Sequence, residues 1–327
     1  MGPVPEERLK PSPAFYNSAL DLFGPLMIKG TVKGRCKKKV YGVIINCLST
    51  RASYVDLVEG YDADGLLTTL RRFIAIRGFP RSMYSDRGSQ LKLASKEICQ
   101  MTQDHQKLSN FGREGGMEWN FIKSANAPWE NGCSEAMVKL VKRVLTRTIG
   151  DATLTFDEIQ TVMFEVASIL NERAIGMKNG ASNVGGSYLC PNDLILGRAN
   201  VRVPEGLFDN NANIKTRQNF INTIVNSFWK KWMRYYFPTL VIQQKWHCDR
   251  RNLKIGDIVL VQDSNAIKGS WKLAEVCEVL PSSDGKIRDV QIRYKIQGEE
   301  GDYEGQQDMK VYRSVHKLVL ILPLEEQ

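Results

Sequence analysis

Read for the alternation of apolar and polar positions, the chain begins with strands. FYNSALDLFGPLMI (15–28) has the apolar density of a strand, and Gly24-Pro25 is where it is expected to end. KKKVYGVIINCLST (37–50) and RASYVDLVE (51–59) are rich in β-branched and aromatic residues, with only a tight turn between them. The three segments therefore predict an antiparallel meander. VYGVIINCL is almost wholly apolar, the pattern of a strand covered on both faces. From Asp62 the period changes: Leu66, Leu67, Leu70, Phe73 and Ile74 recur at helical spacing, and Gly78-Phe79-Pro80 stops the helix. RSMYSD (81–86) reads as a short strand, followed by a helix near 90–98 and a polar, Gly-rich loop over 101–116. MEWNFIK (117–123) is a further strand, then comes a turn at Pro128 and Asn131-Gly132 and another helix. The helix after that starts at Thr155, with Glu158 placed to complete a capping box. Its stripe of Ile159, Val162, Met163, Val166, Ile169 and Leu170 reads as core.

This order predicts an α/β fold, a mixed sheet with its first strand central and helices on both faces. A Gly/Asn-rich region, 176–213, leads to a long helix at about 214–236, where Phe220, Ile224, Val225, Phe228 and Trp232 keep a 3.6 period. Then the pattern shortens. LKIGDIVLVQDS, WKLAEVCEVLP, VQIRYKI and SVHKLVLILP are four strand patterns separated by turns, of which Ser282-Ser283-Asp284-Gly285 is the clearest. They predict a small all-β barrel.

Composition alters this picture in one respect. Hydrophobic residues at 43% and charged residues at 25% are ordinary for a globular chain of 327 residues, but the net charge of +9 favours a polyanionic partner. No apolar run approaches the ~18 residues of a membrane span. The seven cysteines include no Cys-x-x-Cys pair, and three histidines complete no zinc pattern; adjacent His247 and Cys248 read as packing or surface residues. The N-terminal MGPVPEERLKPSPAF has no apolar h-region and reads as a linker. The expectation is a soluble intracellular protein with reduced thiols.

Three carboxylates carry the candidate chemistry. Asp21 interrupts an apolar strand, where an unpaired buried carboxylate would cost several kcal/mol. Asp86 closes the fourth strand before Arg87-Gly88, a place where Asp also serves as a turn former. Glu135 opens a helix, with Lys139 and Lys142 following on its face at i+4 and i+7. Taken alone, that trio is a pair of surface ion pairs. If the first and fourth strands are neighbours, Asp21 and Asp86 stand side by side in the crevice at the strand ends. Two such acids repel unless a divalent cation lies between them. Ligation by oxygen alone selects Mg2+ or Mn2+. A pair of these ions activates an attacking oxygen and stabilises a leaving one in phosphodiester chemistry.

DLFGP, YSDRGSQL and APWENGCSEAMVKLVKR, in that order, resemble the Asp, Asp, Glu catalytic core of retroviral and retrotransposon integrases, and most closely integrases of BEL/Pao LTR retrotransposons. The resemblance continues through FEVASILNERAIG, YLCPNDLILGRA and FWKKWMRYYFPTLVIQQKW to NLKIGDIVLVQDSNAIKGSWKLAEV, nearly the whole chain. It implies an RNase H-like core with a five-stranded mixed sheet, then a helical linker and a small SH3-like β-barrel. The corresponding divisions are a linker over 1–12, the catalytic core over 13–178, a helical extension over 179–248 and the barrel over 249–325. It implies that Asp21, Asp86 and Glu135 are both catalytic residues and metal ligands, with Glu130 the rival for the third place. The activity implied is a polynucleotidyl transferase that processes the 3′ ends of element DNA and joins them to target DNA, working as a homo-oligomer. Such a protein would be cytoplasmic before integration and nuclear during it. Two departures stand out: the His/Cys zinc domain that precedes the core in this family is missing, and Arg87 replaces the Asn that many relatives carry.

Between Trp229 and Lys254 stand seven Lys/Arg and one acid, interleaved with Trp229, Trp232, Tyr235, Tyr236, Phe237 and Trp246. Trp232 and Phe228 read as the buried stripe of a helix. The cations read as phosphate contacts: Lys230, Lys231, Arg234, Lys245, Arg250 and Arg251, joined by Lys139, Lys142 and Arg143 in the core. Trp271 fits a barrel core and a contact residue equally well. The leading reading is the integrase. A non-catalytic DNA-binding remnant, truncated or domesticated, is the alternative; a ribonuclease H acting on RNA–DNA hybrids shares the fold but leaves the long helix and the tail unexplained.

Overall fold

The thirteen residues of β1 (Asn17–Lys29) form the middle strand of the first sheet. The computed structural model describes residues 6–30, 37–60, 63–85, 116–121, 132–150, 154–178, 188–198, 217–241, 251–263, 271–295 and 308–326. β1 does not end at Gly24-Pro25 as expected. Its pairing with β2 (Lys37–Cys47) shifts register between Phe23 and Leu26 and resumes to Lys29. Proline has no amide to give to the ladder, so a bulge is where a strand can hold one. Gly24 takes φ +132°, a conformation that glycine adopts without strain.

β3 (Ser53–Glu59) continues the antiparallel meander beyond β2, while β4 (Ser82–Ser85) and β5 (Glu118–Phe121) run parallel to β1 on its other side. The order β3-β2-β1-β4-β5 is the mixed, RNase H-like sheet with its first strand central. Alternation along β1 sends Leu20 and Leu22 into a cluster with Val43, Ile45 and the α2 (Ala63–Arg77) residues Leu66, Leu70 and Phe73. Asp21 and Phe23 point to the opposite face, where α3 (Gly132–Ile149) packs against β1. Gly42 leaves room there for the Phe23 ring, which lies 2.1 Å from where a Cβ would stand.

α4 (Phe156–Asn171) packs along β3. The capping box at its start forms reciprocally: the Glu158 amide donates to Thr155 Oγ1 at 3.3 Å, and the Thr155 amide donates to Glu158 Oε2 at 2.8 Å. Its whole expected stripe is buried. One helical turn, α1 (Glu6–Leu9), lies within the stretch expected as a linker. The helix near 90–98 and most of the 101–116 loop fall outside the described residues.

The chain divides into two compact units, the first built chiefly on residues up to Asn171 and the second on Glu172–Asp193 with Trp229 onward. The second contains the small hairpin β6 (Gly176–Met177) and β7 (Tyr188–Leu189), the helix start Pro191–Asn192 of α5 (Pro191–Leu196), and the last part of α6 (Arg217–Leu240). Its main sheet has five strands: β8 (Ile258–Val261), β9 (Lys272–Pro281), β10 (Ile287–Tyr294), β11 (Met309–Ser314) and β12 (Leu318–Leu322), in the order β11-β10-β9-β8-β12. β11 was not among the four expected strands, because MKVYRS has the mixed, exposed pattern of an edge.

The expected closed barrel is not seen. β11 and β12 are the two edges, and among the described residues no hydrogen-bonded ladder joins them. The three-residue 3-10 turn Val315–Lys317 carries the chain from one edge to the other. A flat sheet of this kind would need to span about 19 Å there, more than such a short link reaches. The sheet therefore curves strongly without closing. Val259, Val261, Val276, Val290, Ile292 and Leu318 form its core. Trp271 is buried and meets Trp229 and Tyr236 edge-on, which makes it a core residue. No helix among the described residues is long and apolar enough to cross a membrane.

Candidate metal and nucleic-acid site

Asp21 directly follows the described part of the β1–β4 ladder. Among the described residues the last β1–β4 pair is Leu20 with Ser85. This is the carboxyl end of the parallel strands, and β1 is also where the strand order reverses, the position at which α/β sheets open a crevice. Ala19 and Phe23 flank Asp21 on the same face and are buried, while the Asp21 side chain stays 24% exposed. Its Oδ1 accepts the Leu22 amide at 2.7 Å, and its Oδ2 lies 3.5 Å from the Lys142 ammonium.

Lys142 comes from α3, whose pattern follows from its sequence. Val138, Val141, Val144 and Leu145 are buried against the sheet, which leaves Lys139 and Arg143 exposed and Lys142 half-buried on the margin. Glu135 lies in the first turn of the same helix, two turns ahead of Lys142. Its side chain and all of Asp86 fall outside the described residues; Asp86 follows Ser85, the last residue of β4. Among the described residues no group of three His, Cys, Asp or Glu could hold a metal. Of the three expected ligands, Asp21 is therefore the one whose side-chain geometry is described. An acid at the strand ends, part-exposed and facing a cationic group, offers the hard oxygen donor that Mg2+ prefers.

The basic, aromatic segment separates into two faces. Phe228, Trp229, Trp232, Tyr236 and Phe237 of α6 are buried, and Trp232 stacks on Tyr236 at 4.7 Å between ring centroids. Lys230 and Arg234, one turn apart, are exposed, and Lys231 is half-buried. Lys245 and Arg250 lie outside the described residues. Arg251 has a structural engagement: its guanidinium makes two bonds to buried Asp257, at 2.7 and 3.0 Å, and one to Glu325 at 2.8 Å. Burial works against ionisation of Asp257, yet Arg251 and the Lys254 and Leu324 amides hold its carboxyl below the usual range. Arg251 thus fastens Asp257 to the end of the chain.

A groove of about 360 Å³ opens beside Lys142, lined by Phe23, Leu26 and Met27 of β1, Lys37 of β2, and Lys142 and Thr146 of α3. Lys37 was not among the expected contacts. Its signal in the sequence is the run Lys37-Lys38-Lys39, which reads as the start of a strand.

A family model described as "Family of unknown function (DUF5641)" matches residues 216–321, from one residue before α6 into β12. No curated protein matches the chain. Among solved structures, one chain in the simian T-cell lymphotropic virus intasome in complex with PP2A regulatory subunit B56 gamma is 9% identical, with a TM-score of 0.36 over 95% of this chain and 80% of that one. The HTLV-2 integrase catalytic core domain in complex with magnesium is 15% identical in its dimeric form, with a TM-score of 0.33 over 51% of this chain and 92% of that one. Its trimeric form gives the same identity and TM-score.

Proposed function

We propose that the chain is an integrase of the LTR-retrotransposon kind that its motifs resemble, a polynucleotidyl transferase acting on DNA ends as a homo-oligomer. The observation that carries this reading is the place of Asp21: part-exposed, on the central strand, one residue past the last described β1–β4 pair, next to a lysine from the helix that bears Glu135. Asp21, Asp86 and Glu135 would hold Mg2+ or Mn2+. Bound there, the ions would activate an attacking oxygen and stabilise the leaving one. The protein's own contribution is placement. β1 fixes the Asp21 carboxylate through the hydrogen bond that the Leu22 amide donates to it. Lys139, Lys142 and Arg143 line one helix and would bind successive phosphates of the DNA end, while Lys230 and Arg234 would bind phosphates from the exposed face of α6.

The test is 3′-end processing and strand transfer on the terminal sequences of the parent element, with Mg2+. Wild type should cleave and join; Asp21→Asn, Asp86→Asn and Glu135→Gln should each fall to background while keeping the circular dichroism spectrum. Undiminished joining by Asp21→Asn removes the assignment. A second reading, a non-catalytic DNA-binding protein, draws on the Lys142 contact, which partly neutralises Asp21 without any metal. It predicts DNA binding with no cleavage by wild type and indifference to Asp21→Asn.

A further inference from the structure

The far end of the β1–β2 hairpin is a cationic surface with no local explanation. The register sets Lys29 directly opposite Lys37 and Met27 opposite Lys39, so these four side chains share a face. All three lysines are exposed. Like charges placed directly opposite across two strands are destabilising. Lys38, whose side chain alternates to the other face, is neutralised by Glu59 at 2.6 Å. Among the described residues no carboxylate pairs with Lys29, Lys37 or Lys39. Folding therefore sets two lysines directly opposite one another, with no counter-charge paired to them among the described residues.

The groove beside α3 links this surface to the candidate site. Lys37 and Lys142 both line it, and Lys142 is the residue that reaches Asp21. From Asp21 to Lys29 the strand covers about 25 Å at the ordinary rise, the length of several nucleotides. We infer that Lys29, Lys37 and Lys39, which share the Val43 and Ile45 face of the sheet, form a second phosphate-contact surface for nucleic acid, joined to the Asp21 face at the end of the hairpin by the groove that Lys37 and Lys142 both line. This rests on the reading of Asp21 as part of a nucleic-acid site. The contact would be to phosphates rather than bases, since lysines on a strand face neutralise charge without reading sequence. The opposed lysines are then a stability cost that the bound polyanion offsets.

The experiment measures binding of the full chain to fluorescent duplex DNA across a salt series. The variants are Lys29→Ala/Lys37→Ala/Lys39→Ala, Lys37→Glu and, as a control, Lys38→Ala. The triple variant should bind about tenfold more weakly or worse at low salt, and its slope of log affinity against log salt should shrink by about 2 to 3. Lys38→Ala should leave the slope alone. Lys37→Glu should weaken binding while raising the thermal midpoint, because it turns a repelling pair into an ion pair with Lys29. A merely structural role would lower that midpoint. An unchanged slope in the triple variant, with wild type binding DNA, overturns the inference and leaves the proposed function standing. Absence of DNA binding by wild type removes the proposed function first. Loss of phosphatidylserine-vesicle binding with DNA binding intact would assign the surface to a membrane and overturn the inference as well.

Discussion

Two aspartates interrupt apolar strands of the same sheet, and their surroundings differ. Asp56 in β3 is fully buried, and its carboxylate is filled by four donors. The Tyr54 hydroxyl donates at 2.9 Å, Arg72 Nε at 2.8 Å, Gln160 Nε2 at 2.9 Å and the Leu57 amide at 2.7 Å. Burial, with Asp56 beside it, pushes the Tyr54 hydroxyl above its ordinary range, so it stays a donor at any working pH. Asp21 keeps its side chain 24% exposed and faces the tip of a long, half-exposed lysine at 3.5 Å. A carboxylate has about four acceptor sites. Filled by four donors, the Asp56 carboxylate ties α2, α4 and β3 together. Part-exposed and opposed by Lys142, Asp21 would be the acid that meets an incoming cation under the proposed function.

The contrast can be tested by stability, from the largest expected effect down. Asp56→Ala should cost about 3–5 kcal/mol, since it strands the buried Tyr54 hydroxyl and Leu57 amide and unpairs the half-buried Arg72 guanidinium; a loss under about 1 kcal/mol in urea denaturation would put Asp56 in the same class as Asp21. Arg72→Met should cost about 2 kcal/mol, less because Tyr54 and Gln160 still hold Asp56. Thr155→Ala should cost about 1 kcal/mol by removing half of the α4 capping box. There Arg217, with the Thr155 amide and against the opposing effect of burial, pulls the Glu158 carboxyl from 4.5 down to about 2. Its folded value is depressed, so the contribution is present above about 4.5 and fades as pH falls toward 2. Glu158→Gln should flatten that acid limb in a pH series of melting curves. Asp21→Asn should change stability least, by about 0.5 kcal/mol or less, while being the variant that abolishes joining. A large stability loss there would erase the distinction.

Much of the first unit was legible as pattern. The helical stripes of α2 and α4, the capping box and the meander all emerged from local periodicity and are buried or bonded as expected. Two local readings went astray for the same reason. Gly24-Pro25 looked like a terminus because proline breaks a ladder, yet β2 accommodates it with a bulge. MKVYRS was not among the four expected strands because an edge strand needs little apolar alternation, yet it pairs with β10 along its length. In both cases a partner strand supplied what the segment lacked. The aromatics of α6 were harder to assign, because a Trp beside a Lys fits a core and a DNA contact alike until the helix face is known. The same holds for Arg251, whose cationic neighbours suggested phosphates before Asp257 and Glu325 were seen to hold it.

The sequence by itself determined most of the elements and their order, because periodicity and turn chemistry act over a few residues and need no partner. Tertiary structure decided what surrounds each acid. Asp21 and Asp56 occupy similar apolar strings, LDLF and VDLV, and no local signal separates them. The difference arises from residues 16 to 121 positions away, Arg72 and Gln160 for one and Lys142 for the other. Such donors are delivered only by packing helices onto a sheet. The opposed pair Lys29 and Lys37 likewise exists only once β1 and β2 are in register, since repulsion between two ammonium groups depends on their distance in space.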